Sequence, residues 1–359
     1  MSTTAATPGR AAAPPPPPTP PTPPAQPRAG LRARAAALAA AALLVLTAAP
    51  AAADTAPAAA PTNVAVHDPA LVTGGGGRDW FVFGTGDAAV ADGNITVHRS
   101  ANGTDWRPAG HVWTTKPAWL AREVPGVTNL WAPEVYENDG TYYLYYSAST
   151  FGSNRSVIGL ATNTTLDPAD PDYRWVDRGK VYESTTSSDF NAIDPGIVED
   201  ASGTPWMAFG SFWSGIRMVR LEWPSGKPAA GQGAPLRLAA GHPDGNAVEA
   251  PYIVHRAGYF YLFVSLGRCC AGLDSTYRIA VGRSTSVTGP YVDRAGRPML
   301  QGGGTVIRAA RGDSVAAGGQ SLSLSRMAYH SYGPYGTPGD FRLEIDQIGW
   351  SGGWPAPMG

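Results

Sequence analysis

A proline-containing strand start recurs along the chain, and this repeat constrains the fold more than any other sequence feature. Each copy continues through a turn rich in Gly or Asp, an aromatic strand and a third strand. Successive prolines are 64, 62 and 56 residues apart: Pro69, Pro133, Pro195 and Pro251. A fifth copy around Gln320, 69 residues further on, lacks the proline but keeps the strand order. Five such repeats, each large enough for a four-stranded sheet, predict an all-β fold, a five-bladed β-propeller.

The composition agrees with short strands and tight turns. Runs such as residues 142–146 and 259–264 are rich in aromatic or β-branched residues, and the strand-like runs are bounded by Gly, Asp, Asn or Pro. Charged residues make up only 15% of the chain, beside 44 Gly and 34 Pro, which disfavours long surface helices. A formal net charge of −1 gives no basic field for nucleic acid. Two cysteines exclude a disulfide scaffold and a four-cysteine zinc site.

The N-terminal segment differs from the repeats. A Pro-rich run over residues 14–27 cannot pack a core, and it precedes a basic flank and an apolar stretch over residues 35–49. That stretch is shorter than the roughly 20 residues that span a bilayer. Together with the three alanines that end at Ala53, it predicts a secretory signal cleaved there, the alternative being a membrane anchor or a buried helix.

The predicted organisation has three parts. Residues 1–53 are the Pro-rich leader plus signal peptide, residues 54–62 a linker, and residues 63–359 the catalytic propeller. Cleavage leaves 23 basic and 28 acidic residues. We therefore expect a mildly acidic, secreted protein that is a monomer, without nucleic-acid or membrane partners after cleavage.

Acidic residues occupy matching places in three of the repeats. Asp68 and Asp194 directly precede their prolines, and Glu249 lies two residues before Pro251. Because the first strand of every blade lines a propeller's channel, these three carboxyls should meet at one end of the axis. Such an arrangement opposes folding, which favours a functional role. Glu134 follows its proline, so strand alternation should point it elsewhere, and we expect it to be structural.

Two carboxyls on either side of a sugar–oxygen bond are the minimum for glycoside hydrolysis. One must be protonated to protonate the leaving oxygen, and the other must be ionised to activate water or attack carbon. A third acid can keep the first one protonated. The alternative for each acid taken alone is an ordinary turn residue.

The ordered segments VHDPALV, NLWAPEV, NAIDPGI, GSFWSGI, NAVEAPYI, STYRIAVGRS and YHSY resemble glycoside hydrolase family 43, and within it the endo-acting 1,5-α-L-arabinanases. The resemblance runs from Val66 to Pro355. It implies inverting hydrolysis of internal α-1,5-L-arabinofuranosyl bonds of arabinan. In this reading Asp68 is the general base, Glu249 the general acid, and Asp194 orients Glu249 and tunes its pKa.

The resemblance also implies a substrate-binding set. An Asn amide and a Ser hydroxyl can hydrogen-bond sugar hydroxyls, and aromatic faces can pack on a furanose ring. For Trp213 and Trp131, packing between blades is an equally open alternative. The set comprises Asn191, Ala192, Ile193, Ser211, Phe212, Trp213 and Trp131.

His330 in the YHSY segment is implied to be the protein ligand of one calcium or sodium ion in the central channel. The alternative is a satisfied core histidine. Strand alternation faces His67 away from the axis, although it could hydrogen-bond the neighbouring base, and it receives no role. Gln320 stands where some family members carry a His, which leaves the polar surroundings of the ion open.

Two questions stay open at this stage. Cys269 and Cys270 are adjacent, and neighbouring Cα atoms are about 3.8 Å apart, so a vicinal disulfide and two free thiols are both possible. For function, the alternatives are an exo-acting α-L-arabinofuranosidase or β-xylosidase of the same family, and a non-catalytic carbohydrate-binding propeller. Loop lengths decide between an open groove and a blocked pocket, and the sequence does not reveal them.

Overall fold

A computed structural model describes residues 64–74 and 79–356. The leader and signal predicted over residues 1–53 and the linker over residues 54–62 lie outside the described residues. Within the described ranges, no helix is long and apolar enough to cross a membrane.

The described chain forms five antiparallel sheets in sequence order, which confirms the predicted five-bladed β-propeller. Blade 1 contains β1 (Ala70–Val72), β2 (Trp80–Gly84), β3 (Thr96–Ser100) and β4 (Arg107–His111). Blade 2 contains β5 (Leu130–Asn138), β6 (Thr141–Ala148), β7 (Ser156–Asn163) and β8 (Val176–Ser184). Blade 3 contains β9 (Gly196–Glu199), β10 (Pro205–Phe209), β11 (Ile216–Glu222), β12 (Lys227–Pro228) and β13 (Leu236–Ala239).

Blade 4 contains β14 (Val248–Arg256), β15 (Tyr259–Leu266), β16 (Arg278–Ser284) and β17 (Thr305–Arg308). Blade 5 contains β18 (Ala316–Ser323), β19 (Arg326–Tyr332) and β20 (Phe341–Gln347), and a short hairpin follows, β21 (Trp350–Ser351) and β22 (Trp354–Pro355). The helical elements are single turns: α1 (Leu120–Glu123), α2 (Pro243–Asn246) and 3-10 turns at Ala91–Gly93, Gly272–Asp274, Met299–Gln301 and Pro338–Asp340.

Two blades depart from a plain sheet of four strands. In blade 3, both β12 and β13 pair with β11, and blade 5 has only three strands in its sheet. The segment before β1 lies against the outer edge of blade 5, where the backbone N–H of Leu343 donates to the carbonyl of Val64 at 2.8 Å. The start of the described chain therefore closes the ring onto its last blade.

Each pair of neighbouring blades has its own apolar core. Blades 1 and 2 meet around Phe83 and Tyr146, and blades 5 and 1 meet around Val82 and Leu343. Equivalent clusters fill the other three interfaces. Because burial of these faces stabilises every interface in the same way, the ring holds the inner strands at fixed positions around the axis.

The backbone turns left-handed immediately before the proline of the first four inner strands and before Gln320 in the fifth. The five residues with positive φ are Asp68 (49°), Ala132 (41°), Asp194 (58°), Ala250 (50°) and Gly319 (62°). The pairing of the inner strand with its neighbour also shifts register here in blades 2, 4 and 5. A left-handed residue costs about 1–2 kcal/mol unless it is Gly, and a register shift of this kind re-aims side chains. This repeated kink breaks strand alternation at the point where the acids lie.

Candidate active site

The kinked strand starts surround a small axial cavity of about 30 Å³ to which all five blades contribute. Two of the predicted acids, Asp68 and Asp194, line it, and Glu249 directly precedes Ala250 in the same wall. The structure thus brings together the three carboxyls that the sequence placed in three separate repeats. The cavity is lined by Asp68, Pro69, Ala132, Pro133, Glu134, Asp194, Pro195, Ala250, Pro251, Tyr252, Gly319, Gln320 and Ser321.

Asp68 is held as a carboxylate. Its Oδ2 lies 2.8 Å from His67 Nδ1 and accepts a hydrogen bond of 2.7 Å from the Thr85 hydroxyl. Burial opposes ionisation, but the charge and hydrogen bond of His67, the nearby His330 and the Thr85 hydroxyl outweigh it and hold the pKa of Asp68 well below its usual range. An ionised oxygen at this position can accept a proton from water.

Glu249 is held differently. Its side chain is buried, Oε2 accepts a hydrogen bond of 2.5 Å from the Ser211 hydroxyl, and Oε1 accepts one from the Tyr277 hydroxyl. Burial, together with the charge of Asp68, raises the pKa of Glu249 to about 7 against the effect of Ser211. Near neutral pH this carboxyl still carries a proton that it can donate.

Asp194 is the third carboxyl of the site, and the other two acids affect its pKa. Its Oδ2 accepts a hydrogen bond of 3.0 Å from the backbone N–H of Ala250, and its own N–H donates to the Ser147 hydroxyl at 3.0 Å. Burial and the carboxyls of Glu249 and Asp68 raise the pKa of Asp194 well above its usual value. Because each of the two carboxyls affects the ionisation of the other, Asp194 and Glu249 titrate as a pair, and the loss of both protons is unfavourable.

The residues expected to bind substrate lie in different surroundings. Trp213 is 39% exposed, and Phe212 and Trp131 are partly buried. Asn191 is buried, and its Oδ1 accepts a hydrogen bond of 2.6 Å from the Ser156 hydroxyl. The three remaining members are also buried: Ala192, Ile193 and Ser211. The Ser211 hydroxyl donates a hydrogen bond to Glu249. Their binding roles stay predictions.

His67 contacts the predicted base, contrary to the orientation expected from strand alternation. Alternation fails because Asp68, the next residue, has a left-handed backbone. His67 Nε2 lies 2.6 Å from the Tyr332 hydroxyl, and that hydroxyl accepts a hydrogen bond of 3.0 Å from the backbone N–H of Cys270. A chain of hydrogen bonds therefore connects the loop after β15 to Asp68 and orients the His67 ring.

Cys269 and Cys270 form a vicinal disulfide, which is one of the two states that the sequence left open. Sequence reasoning also gave no role to Tyr277, although the segment that contains it was part of the resemblance. Only the fold shows that this tyrosine of blade 4 reaches the carboxyl of Glu249.

Glu134 lines the cavity but differs from the three acids above. It is 3% exposed, and its Oε1 has no hydrogen-bond partner among the described residues. Burial raises the pKa of Glu134 to about 8, against hydrogen bonds from the backbone of Ile197 and Val135 and from the Tyr252 side chain. These contacts connect blade 2 to blades 3 and 4, which agrees with the structural role expected for it.

His330 fits the ligand of a cation. It is completely buried, and burial holds its pKa well below the usual value, so the ring is neutral. Its Nε2 is a buried nitrogen without a hydrogen-bond partner in the described part of the chain, which a satisfied core histidine would not leave. Ligand atoms of His67, Asp68 and His330 all lie within 4.8 Å of one another.

An ionised carboxyl and a protonated carboxyl around the axis of a propeller are the pair of groups that glycoside hydrolysis requires. The family model described as "Glycosyl hydrolases family 43" matches residues 59–355 of this chain. The chain therefore belongs to this family.

Several relatives are similar over most of their length. The extracellular endo-α-(1→5)-L-arabinanase 1 of Bacillus subtilis is 40% identical over 300 residues, which cover 82% of this chain and 88% of that protein. The extracellular exo-α-(1→5)-L-arabinofuranosidase ArbA of Cellvibrio japonicus is 40% identical over 306 residues, covering 81% and 86%. The solved structure of the endo-arabinanase from Bacillus licheniformis has a TM-score of 0.76 at 40% identity, covering 83% of this chain and 99% of that chain.

Gly319 lies against the carboxylate of Asp68, so a substitution at Gly319 tests how tightly that carboxylate is packed. An added Cβ would lie 2.5 Å from Asp68 Oδ1 and 2.8 Å from the His330 ring. We expect Gly319→Ala to displace the carboxylate and to lower kcat for glycoside hydrolysis by about tenfold or more, because a small misplacement of a reacting group is costly.

Gly312→Ala is the matched control for this variant. Gly312 also has a positive φ, but no atom lies within 4 Å of an added Cβ. It should carry a similar backbone penalty and keep its kcat. Equal losses of kcat in the two variants would show that backbone strain, and not contact with Asp68, is responsible.

Proposed function

We propose that the protein is a secreted, monomeric, inverting hydrolase that cuts internal α-1,5-L-arabinofuranosyl bonds of arabinan. The observation that carries this proposal is the contrast between two acids at the axis: hydrogen bonds from His67 and Thr85 favour the ionised form of Asp68, and burial favours the protonated form of Glu249. The name of the Bacillus subtilis relative supports an endo-acting arabinanase, and two relatives named extracellular support secretion.

The roles follow from the protonation states. Glu249 donates its proton to the glycosidic oxygen as the bond to the anomeric carbon breaks. Asp68 takes a proton from the water that attacks the same carbon from the opposite face. Because Glu249 and Asp194 act on each other, an ionised Asp194 would in turn disfavour ionisation of Glu249. After product release, Asp68 returns its proton to solvent and Glu249 regains one.

The substrate lies across the open end of the channel in this proposal. The partly exposed rings of Trp213, Phe212 and Trp131 supply apolar faces for furanose rings, and Asn191 and Ser211 supply polar contacts. Ala192 and Ile193 are buried, so they shape the site through their backbone.

A second candidate is removal of single sugars or short products from chain ends. It is favoured by the 40% identity to the Cellvibrio japonicus protein, which is named an exo-arabinofuranosidase. A purely carbohydrate-binding propeller has no use for one ionised and one protonated carboxyl. The two hydrolytic candidates differ in the products that appear first.

The purified protein should release a ladder of oligosaccharides from linear or debranched arabinan before arabinose accumulates. Early release of a single product size would support the exo-acting candidate instead.

Asp68→Asn and Glu249→Gln should each lower the rate by about 10²–10⁴-fold, the typical contribution of general acid or base catalysis.

The folded state of both variants is checked by melting temperature. A variant that keeps the wild-type rate would remove that residue from its role. If the wild-type protein did not hydrolyse arabinan, the proposed function would be contradicted.

A calcium or sodium ion held by His330 in the channel forms part of the proposal. A bound cation would neutralise part of the negative charge of the acids and order water near them. A neutral imidazole has one lone pair, so if Nε2 binds the ion, Nδ1 carries the proton and faces Asp68 Oδ1, 3.5 Å away, in place of accepting the backbone N–H of Asp68.

Chelation should lower the melting temperature and the rate, and added calcium should restore both. His330→Ala should be impaired from the start and insensitive to the chelator. The measurement is differential scanning calorimetry beside metal analysis of the purified protein. Full activity in metal-free protein, with no response of the melting temperature to calcium, would contradict the cation.

A further inference from the structure

Two loops of blades 2 and 3 carry groups that the proposed function places on the substrate and the acid. The Trp213 loop (residues 210–215) joins β10 to β11 and presents Ser211, whose hydroxyl donates to Glu249. The Asp189 loop (residues 185–193) follows β8, contains Asn191 and leads to Asp194. Neither loop belongs to a sheet, so other contacts must fix them.

The Trp213 loop has an unusual backbone. Phe212 and Trp213 are consecutive non-glycine residues with left-handed φ angles of 52° and 40°. Such a conformation persists only where its surroundings enforce it. Two backbone hydrogen bonds help, from Phe212 N–H to the carbonyl of Val248 at 3.1 Å and from Ser214 N–H to the carbonyl of Asp189 at 2.9 Å.

Arg217 joins the two loops through its side chain. It projects from β11 with 7% of its side chain exposed, and its Nη2 donates to Asp189 Oδ2 at 2.6 Å and to the Ser214 hydroxyl at 2.5 Å. Its guanidinium lies 5.7 Å from the centre of the Phe190 ring. One buried cation thus contacts both loops on either side of the Ser214–Asp189 backbone bond.

The burial of Arg217 is not explained by stability alone. Its Nε is buried without a hydrogen-bond partner among the described residues, and the Asp189 carboxyl that balances its charge is 71% exposed. A buried charge with an exposed, screened partner is a poor way to stabilise a fold compared with an apolar side chain of similar size. Its geometry suits precise placement of neighbouring groups instead.

We propose that Arg217 is a positioning residue that fixes the Trp213 loop against the Asp189 loop, and thereby holds the Trp213 ring for a sugar and the Ser211 hydroxyl on Glu249. This inference rests on the proposed function for the roles of the two loops. It does not make Arg217 a catalytic residue, because the contacts of its guanidinium are with the loops.

The first test is Arg217→Met, which keeps an unbranched apolar side chain in place of the arginine stem and removes both hydrogen bonds. We expect KM for arabinan to rise about tenfold, because a charge-assisted hydrogen bond is lost on each loop. The alkaline limb of the pH–rate profile should move to higher pH, since Ser211 lowers the pKa of Glu249 and would no longer be held on it. The other groups that act on Glu249 are unchanged in this variant: Asp68, Asp194, His67, Tyr277 and Tyr332.

Arg217→Lys should recover part of both effects, because an ammonium can still donate to Asp189 or Ser214. The matched control is Arg237→Met. Arg237 is exposed and lies opposite Arg217 in the β11–β13 pair, so its loss should leave KM and the pH–rate profile unchanged. If the Arg217→Met protein does not fold, Ser214→Ala removes one of the two hydrogen bonds and should shift KM and the limb in the same direction.

Amide hydrogen exchange separates this proposal from the proposed function. Exchange should accelerate over residues 210–215 and 185–193 in Arg217→Met and not in Arg237→Met, whatever the substrate. If the wild-type protein cuts arabinan but Arg217→Met keeps its KM and pH–rate profile, the positioning role is wrong while the function stands. If the wild-type protein does not cut arabinan, the function fails, and unchanged exchange in the two loops would overturn the positioning role as well.

Discussion

The left-handed backbone at the start of each inner strand is the constraint on which the rest of the site depends. Four of the five positions carry a residue other than glycine, so each is unfavourable by itself. The apolar cores between blades hold the strands so firmly that the conformation is enforced. The consequence is that Asp68 and Asp194, at equivalent kinks, are both directed to the same end of the axis.

Bringing acids together in this way works against folding, and the structure divides their charge among different surroundings. Asp68 receives hydrogen bonds from His67 and Thr85 and stays ionised. Glu249 and Asp194 are deprived of water and face other carboxyls, so both resist ionisation. The difference between an ionised carboxyl and two carboxyls that resist ionisation thus comes from burial and neighbours, not from the residue types.

The sequence predicts the architecture because the repeated proline marks four of the five inner strands, and the proline-free copy around Gln320 keeps the same strand order. It also predicts which acids meet, since equivalent strands must converge. It does not predict that His67 reaches Asp68, because the argument from alternation assumes an extended backbone that the kink removes. Nor does it predict the hydroxyls on Glu249, since Ser211 and Tyr277 come from loops and strands of different blades.

The most direct test of the account is the pH–rate profile of Asp194→Asn on arabinan, compared with the wild-type protein. The central claim is that the propeller raises the pKa of Glu249 by placing other carboxyls beside it in a buried site. Replacing Asp194 by a neutral amide removes one of the two interacting acids, so the proton of Glu249 becomes easier to lose. The account predicts an alkaline limb displaced to lower pH. A limb that stays where it is in the wild-type protein, in a variant that still folds and turns over, would contradict it.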